Sequence, residues 1–511
     1  MNRKFFPFVV MTAFFATVLT STDVVGSHAV IVQTPADTLV APNVFSSNFS
    51  GENVFFEVKS KEVSQYLPDS ICVKLRENMQ GFKDRYHSPS ITVVVVYDQD
   101  IVFGESLGYI DLEKQIPATI HSYYPIMSIT KVFTATMLMQ LKEKGIITLD
   151  DKVAQYVPEF NDYRGSTSTN EITLFQLATH NTGLPRNPPS DIHFARQVDK
   201  WIMSEGNDKS ISILSSSTSE EMLKSLTYVE NNYPEYQLKR YGDRNYSNLG
   251  YSLLGIAMER AAKNDYASYM TQHIFSPLKM AHSGFITDSL EHNNIAKGYW
   301  YNPHLDGFIR TPFWKPESMT PAGGIYSTAV DLAKFLNFQF RHESFENNII
   351  LSDHSKSMML AFNIGWKPSY PFVLHEGSML GYRCTIVFSP DMKIGWTILT
   401  NTTDFDFTRI NDIFARLIVP FYTAKPVDMN QYIGVYNLRG GYGSITIYQE
   451  NDSLYSTYLT DVIPKTPLIP SGNNSYIQKA GNIHTIGYDF IINESSKKVI
   501  LNMGQLMWVK E

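Results

Sequence analysis

Apolar residues recur at helical spacing from Ser70 to Phe82, then form the nearly unbroken run Ser90-Ile-Thr-Val-Val-Val-Val-Tyr97 and resume at Ile101-Val-Phe-Gly104 beyond Asp98-Gln-Asp100. This pattern predicts an amphipathic helix followed by a β-hairpin. A strand with so few polar positions is expected to be covered on both faces. From Ser128 to Leu141 the chain carries a single charge, Lys131, which predicts a buried helix. Pro125 marks its start, and Lys142-Glu-Lys-Gly145 closes it with cations and a C-terminal glycine. A polar stretch from Asn187 to Tyr241 precedes a helical run from Tyr251 to Ala262. Two β-rich runs, joined by the Pro390-Asp391 turn, span Thr385 to Thr400 as a second hairpin. Strands at both ends with helices between them predict an α/β (α+β) fold, in which one antiparallel sheet closes across a helical middle. Beyond Thr423-Ala-Lys-Pro426 short alternating segments such as Gly443-Ser-Ile-Thr-Ile-Tyr448 and Lys498-Val-Ile-Leu501 predict a small antiparallel β-domain over 426–511.

A chain of 511 residues, 43% hydrophobic and 18% charged, is globular and long enough for two domains. The net charge of −7 and the lack of a dense Lys/Arg cluster argue against a nucleic-acid surface. Met1-Asn-Arg-Lys4 followed by an uncharged stretch from Phe5 to Thr22 reads as a secretory signal over 1–29, cleaved after Ala29, with a polar linker over 30–57. The alternative is an uncleaved membrane anchor. Pro7 and Thr20-Ser-Thr22 make the segment short for a span of roughly 20 apolar residues. An exported chain is expected, secreted or held in the periplasm or a secretory lumen. Sequons at Asn48, Asn245, Asn401, Asn451, Asn473 and Asn493 fit an exported chain. The two cysteines, Cys72 and Cys384, could bridge, but two separate buried thiols suit a large core better.

Three groups of residues carry candidate chemistry. Ser128 and Lys131 stand one helical turn apart among apolar neighbours, so their side chains share a face. Desolvation disfavours a charged amine, and a neutral lysine can take the proton of a serine hydroxyl. The alternative is a capping serine and a snorkelling lysine. In the second group, Asn245-Tyr246-Ser247-Asn248-Leu-Gly250, the tyrosine and Asn248 can present a phenol and an amide to a cleft, or the segment can simply start the next helix. The third, His375-Glu376-Gly377-Ser378, offers an imidazole and a glycine that lets a strand backbone approach a ligand, or else an ordinary strand-end histidine. Zinc is excluded at this motif because Met379 stands where His-Glu-x-x-His needs its second histidine.

In this order the three groups resemble the serine β-lactamase and penicillin-binding-protein superfamily, in its class C-like branch of esterases and D-amino-acid peptidases, which is marked by Ser-x-x-Lys, Tyr-x-Asn and a Lys- or His-led triplet ending in glycine. Connecting segments agree, among them Ile172-Thr-Leu-Phe-Gln-Leu-Ala-Thr-His-Asn-Thr-Gly-Leu-Pro185 and Pro321-Ala-Gly-Gly-Ile-Tyr-Ser-Thr328. The resemblance implies a hydrolase domain over 58–425 and a β-barrel (lipocalin-like) appendage after it. It implies that Ser128 is the nucleophile, that Lys131 and Tyr246 exchange its proton, and that Asn248 orients Lys131. Backbone N–H groups of Ser128 and Ser378 would form the oxyanion hole, and His375, Glu376 and Gly377 would contact substrate. The implied partner is a small-molecule or peptide acyl substrate, with no metal or organic cofactor. His375 replaces the lysine of true class C enzymes, and Glu376 replaces a hydroxyl residue that meets a β-lactam carboxylate. An anionic side chain there would repel such a substrate, which favours an ester or amide over a β-lactam. Acyl transfer, and a catalytically idle scaffold, are the rival readings. Trp201, Tyr233 and Tyr236 are expected as cleft walls on the polar stretch.

Overall fold

The computed structural model describes residues 67–162, 171–206, 208, 210–228, 246–287, 289–290, 295–341, 350–369, 371–422, 429–438, 444–450, 453–458, 466–472, 475–480, 484–492, 499–503 and 506–510. All belong to the unit Asn53–Glu511. The signal segment, the linker, the boundary at Thr423 to Pro426, Tyr233 and Tyr236, and the sequons at Asn48, Asn245, Asn451, Asn473 and Asn493 lie outside the described residues.

The amphipathic run forms α1 (Asp69–Arg85), and the first hairpin is β1 (Ser90–Tyr97) with β2 (Asp100–Asp111), extended by β3 (Ile116–Pro117). After α2 (Thr130–Glu143), α3 (Asn248–Ala262) and α4 (Ala329–Phe340) come β4 (Lys367–Ser369), β5 (Phe372–Met379), β6 (Tyr382–Ser389), β7 (Ile394–Thr400) and α5 (Phe407–Tyr422). The strands make one seven-stranded sheet in the order β4-β5-β6-β7-β1-β2-β3. Its early and late halves join where β1 runs antiparallel to β7, with Val93 opposite Ile398.

Alternation along β1 explains why that strand carries so few polar residues. Ile91, Val93 and Val95 pack with Trp396 and Ile398 against Leu75 and Met79 of α1 and Ile410 and Phe414 of α5. Val94 and Val96 point the other way, into the core that holds α2, α3 and α4. Each large side chain buried in these two layers contributes about 1.5–3 kcal/mol. Helix α2 is buried from Thr130 to Leu141, which is why its sequence is apolar all round instead of striped.

Strands from Gly434–Leu438 to Leu506–Lys510 close into a barrel. Tyr432, Tyr436, Tyr476 and Phe490 fill its interior, with Tyr432 stacked on Phe490 at 4.5 Å. An eight-stranded barrel is just wide enough for its own side chains, so this one is a packed core.

Cys72 and Cys384 are separate thiols. Cys72 contacts the Leu67 carbonyl, and Cys384 donates to Ile126 O at 3.1 Å. The sequon at Asn401 is corrected by the fold, because its side chain is fully buried. Asn401 Oδ1 accepts from the Ser90 N–H and Oγ, each at 2.7 Å, while its Nδ2 donates to Tyr109 O and Lys297 O. An amide so committed fastens β1, β2 and the 297 segment together and is closed to a glycan. Asn401→Ala should cost about 3 kcal/mol, since it strands a buried N–H and two carbonyls. Urea unfolding checks this, and a loss below about 1 kcal/mol would show that the amide is not a structural tie.

Candidate active site

The chain reaches Ser128 through a constrained turn. Pro125 pairs with Tyr326 in a short β-contact, and Met127–Ile129 form one 3₁₀ turn before α2. Met127 sits at φ +48°, a left-handed conformation that costs a non-glycine residue about 1 kcal/mol or more. Strand β5 clamps the turn. A Cβ on Gly377 would lie 2.3 Å from Ile126 O and 2.4 Å from Cys384 Sγ. The close approach that glycine allows here is therefore to the serine-bearing turn, not to a ligand as the sequence suggests.

Lys131 is wholly buried. Its Nζ lies 2.6 Å from Ala322 O, 2.8 Å from Asn248 Oδ1 and 3.2 Å from Ser128 Oγ. Burial, and then the charges of Arg186 and Lys367, hold the amine well below its ordinary 10.5. A neutral amine has two N–H bonds and one lone pair. The carbonyl of Ala322 and the amide oxygen of Asn248 can only accept, so they take both N–H bonds. The lone pair is left for the Ser128 hydroxyl, which is the arrangement a base requires.

Both readings of the second group hold together. Ser247 caps α3, accepting from Gly250 N at 2.9 Å and donating to Pro185 O at 2.7 Å. That cap sets Asn248 on the first turn, where its Nδ2 donates to Asn187 Oδ1 at 2.7 Å and its oxygen is thereby turned toward Lys131. Tyr246 lies with its ring centroid 4.9 Å from Lys131 Nζ. Burial raises its phenol to about 12, against a hydrogen bond with Ser128 and the charge of Arg186. At neutral pH it is a proton donor.

His375 is buried, its ring 6.5 Å from that of Tyr246. Its Nδ1–H donates to Glu376 O at 2.9 Å. Burial first, then the charge of Lys367, keep the imidazole well below 6.5 and neutral. Gly377 shares the His375 face of β5, while Phe372 and Leu374 pack in the layer of α1 and α5. Alternation places Glu376 on that second face, away from Lys131. Ser378, opposite Arg383, is exposed at the end of the strand. Ser128, Lys131, Tyr246, Asn248, His375 and Gly377 are thus brought together, and Glu376 is not. Trp201 is no cleft wall: it is buried against Trp300 in a separate core with Leu214 and Trp314.

Three residues escape the sequence reading. His180 packs at a tilt against Tyr246, ring centres 4.4 Å apart, and accepts the Ser247 N–H at 3.1 Å. Arg186 and Lys367 stand 5.2 and 5.7 Å from the Tyr246 ring centre. None of the three carries a local signal: His180 lies in a connecting turn before Asn-Thr-Gly, Arg186 is exposed and Lys367 stands on an edge strand. Among the described residues no cluster of histidine, cysteine and carboxylate is placed to hold a metal.

The Beta-lactamase family model matches residues 75–419. Beta-lactamase-like protein 2 of Dictyostelium discoideum is 28% identical over 362 residues, covering 67% of this chain and 61% of the relative's length. Protein flp of Staphylococcus aureus strain MW2 is 24% identical over 371 residues, covering 69% of this chain and 68% of its own. Among solved structures, the octameric penicillin-binding protein homologue from Pyrococcus abyssi superposes with a TM-score of 0.55 at 23% identity, covering 86% of this chain and 99% of its own. A structure of SurE with D-Leu gives 0.51 at 16%, covering 87% and 100%. These structural likenesses are likenesses of fold.

Two outcomes follow from the amine's surroundings. Asn248→Asp places a carboxylate on Lys131, keeps it protonated and should cut turnover at neutral pH at least a hundredfold, with activity partly recovered at higher pH; a neutral-pH rate equal to wild type would show that the free amine is not needed. The second is a linkage. The unfolded chain holds a proton on Lys131 that the folded protein lacks, so stability should rise with pH up to 10.5. Relative to Lys131→Met, wild type should gain up to about 1.4 kcal/mol per pH unit between about pH 8 and 10. Identical pH dependence of the two proteins in urea unfolding would mean a charged Lys131.

Proposed function

Since the chain belongs to the β-lactamase family, we propose that it is an exported serine hydrolase that cleaves an ester or amide bond through an acyl-enzyme on Ser128. The observation that carries this reading is the position of Lys131 Nζ, 3.2 Å from Ser128 Oγ and held by two neighbours that can only accept. In the first half-reaction Ser128 Oγ attacks the carbonyl carbon as its proton passes to Lys131. The N–H groups of Ser128 and Ser378 hold the oxyanion, each donor contributing about 3 kcal/mol in the transition state. Tyr246, protonated at rest, gives its proton to the leaving oxygen or nitrogen and is recharged from Lys131. Water then attacks the acyl-enzyme and yields a proton to the same pair, and Ser128 leaves reprotonated. Asn248 fixes the amine, and neutral His375 and Gly377 form the strand wall beside it. The scheme uses no metal or organic cofactor.

A buried lysine that has no carboxylate partner among the described residues supports an enzyme over an idle scaffold. Such a group costs stability and is expected where chemistry uses it. D-Aminoacyl compounds belong in the substrate screen because SurE, a structural neighbour, was solved with D-Leu. Transfer of the acyl group to an alcohol or amine needs the same side chains and differs only in what attacks the intermediate.

Ser128→Ala should lower turnover of an activated ester at least a thousandfold while leaving the unfolding free energy within about 1 kcal/mol, and Lys131→Ala should be nearly as severe. A fluorophosphonate should label wild type at Ser128, mapped by mass, and spare Ser128→Ala. Wild-type hydrolysis by purified Ser128→Ala would overturn the assignment. Parallel assays with p-nitrophenyl esters, D-aminoacyl anilides and nitrocefin then sort the substrate classes.

A further inference from the structure

We propose that His180 is a positioning residue for expulsion of the leaving group: by accepting the Ser247 N–H on Nδ1 it holds the Tyr246 phenol where its proton can be handed over. This rests on the serine-hydrolase reading and adds to it the side chain that steadies the proton donor. Tyr246 precedes the capping Ser247 and so stands outside α3. The Ser247 N–H belongs to the peptide that joins these two residues, and its bond to His180 Nδ1, 3.1 Å long, fastens that peptide. The His180 ring also lies at a tilt against the rings of Tyr246 and Tyr251, with centres 4.4 and 5.0 Å away.

His180 is itself firmly placed. It follows the short helix Leu174–Ala178 at φ +58°. Its N–H donates to Leu177 O at 3.2 Å and the Asn181 N–H to Gln176 O at 2.9 Å, a helix-ending turn whose left-handed residue is usually glycine or asparagine. A histidine there carries backbone strain, which is expected where the side chain is used. Tyr251 Oη donates to Ala178 O at 2.8 Å and ties the same turn to α3. An Nδ1 that accepts is unprotonated, so the ring bears its proton on Nε2. In acylation the bond from the carbonyl carbon to the leaving oxygen breaks, its electron pair stays on that oxygen, and the Tyr246 proton joins it. An alkoxide leaves poorly without that proton, whereas p-nitrophenolate is stable as an anion. The demand on Tyr246, and through it on His180, therefore grows with the basicity of the leaving group.

The test compares ethyl butyrate with p-nitrophenyl butyrate, one acyl group carried by two leaving groups, in kcat/KM. His180→Ala should lower the ethyl ester about a hundredfold and the p-nitrophenyl ester no more than about fivefold. Asparagine tolerates a left-handed backbone and offers a side-chain oxygen close to the place of Nδ1, so His180→Asn should recover most of the ethyl-ester rate. His180→Phe, a ring without an acceptor, should not. Equal losses for the two esters would overturn the proposal, because the turn would then act through Asn248 and Lys131 or through folding. So would an asparagine variant as poor as the alanine one. On a Tyr246→Phe background His180→Ala should lower the ethyl ester no further, and a full second loss there would also sink the proposal. Labelling of wild-type Ser128 by a fluorophosphonate separates this from failure of the hydrolase reading. If that label is absent, NMR of protein carrying ¹⁵N-histidine, with His180 assigned through His180→Asn, still decides: an Nε2–H ring with a bare Nδ1 supports the tie to Ser247, and a proton on Nδ1 excludes it.

Discussion

Desolvation of one lysine organises this protein. Lys131 lies in a helix whose every residue from Thr130 to Leu141 is buried, and an ammonium there would forfeit several kcal/mol of hydration. Burial therefore lowers the amine's hold on its proton, and the N–H bonds it keeps need acceptors. Ala322 O and Asn248 Oδ1 meet the need from two different segments. Much of the local architecture follows. The Ser247 cap starts α3 at the point that presents Asn248, and Asn187 holds the amide in the orientation that turns its oxygen to the lysine.

The serine is placed by constraint of another kind. Its turn is pinned between the contact of Pro125 with Tyr326 and the edge of β5, where Gly377 and Cys384 meet the Ile126 carbonyl. The left-handed Met127 is the strained link that lets the chain leave this contact and enter a helix within one turn. A sheet with both faces buried makes such a clamp stiff, because moving β5 would disturb the helices on either side. The Asn401 amide serves the same stiffness by joining β1, β2 and the 297 segment.

Burial sets the state of the site's two titratable rings. The Tyr246 phenol stays protonated and the His375 imidazole stays neutral, so a hydroxyl donor, a neutral amine and an uncharged wall surround one serine. Positive charge is pushed to the rim, where Arg186 and Lys367 are exposed. The interior can therefore be dry enough to lower the lysine's basicity while the approach stays cationic.

Local pattern made much of this legible. The unbroken β1 run announced a strand covered on both faces, the uncharged stretch after Ser128 announced a buried helix, and the i, i+3 spacing put serine and lysine on one side of it. Such features depend on residues adjacent in sequence, where period and hydrophobicity act directly. Other features depended on what lies opposite in space. Asn401 read as a glycan acceptor until its amide met five polar groups, and Gly377 read as a ligand contact until the serine turn filled that space. Trp201 read as a cleft wall but found Trp300. The sequence determined which residues could carry the chemistry; only the tertiary structure decided what surrounds the Lys131 amine and where Arg186 and Lys367 stand, because lysine, amide and carbonyl meet across gaps of more than a hundred residues that no local pattern encodes.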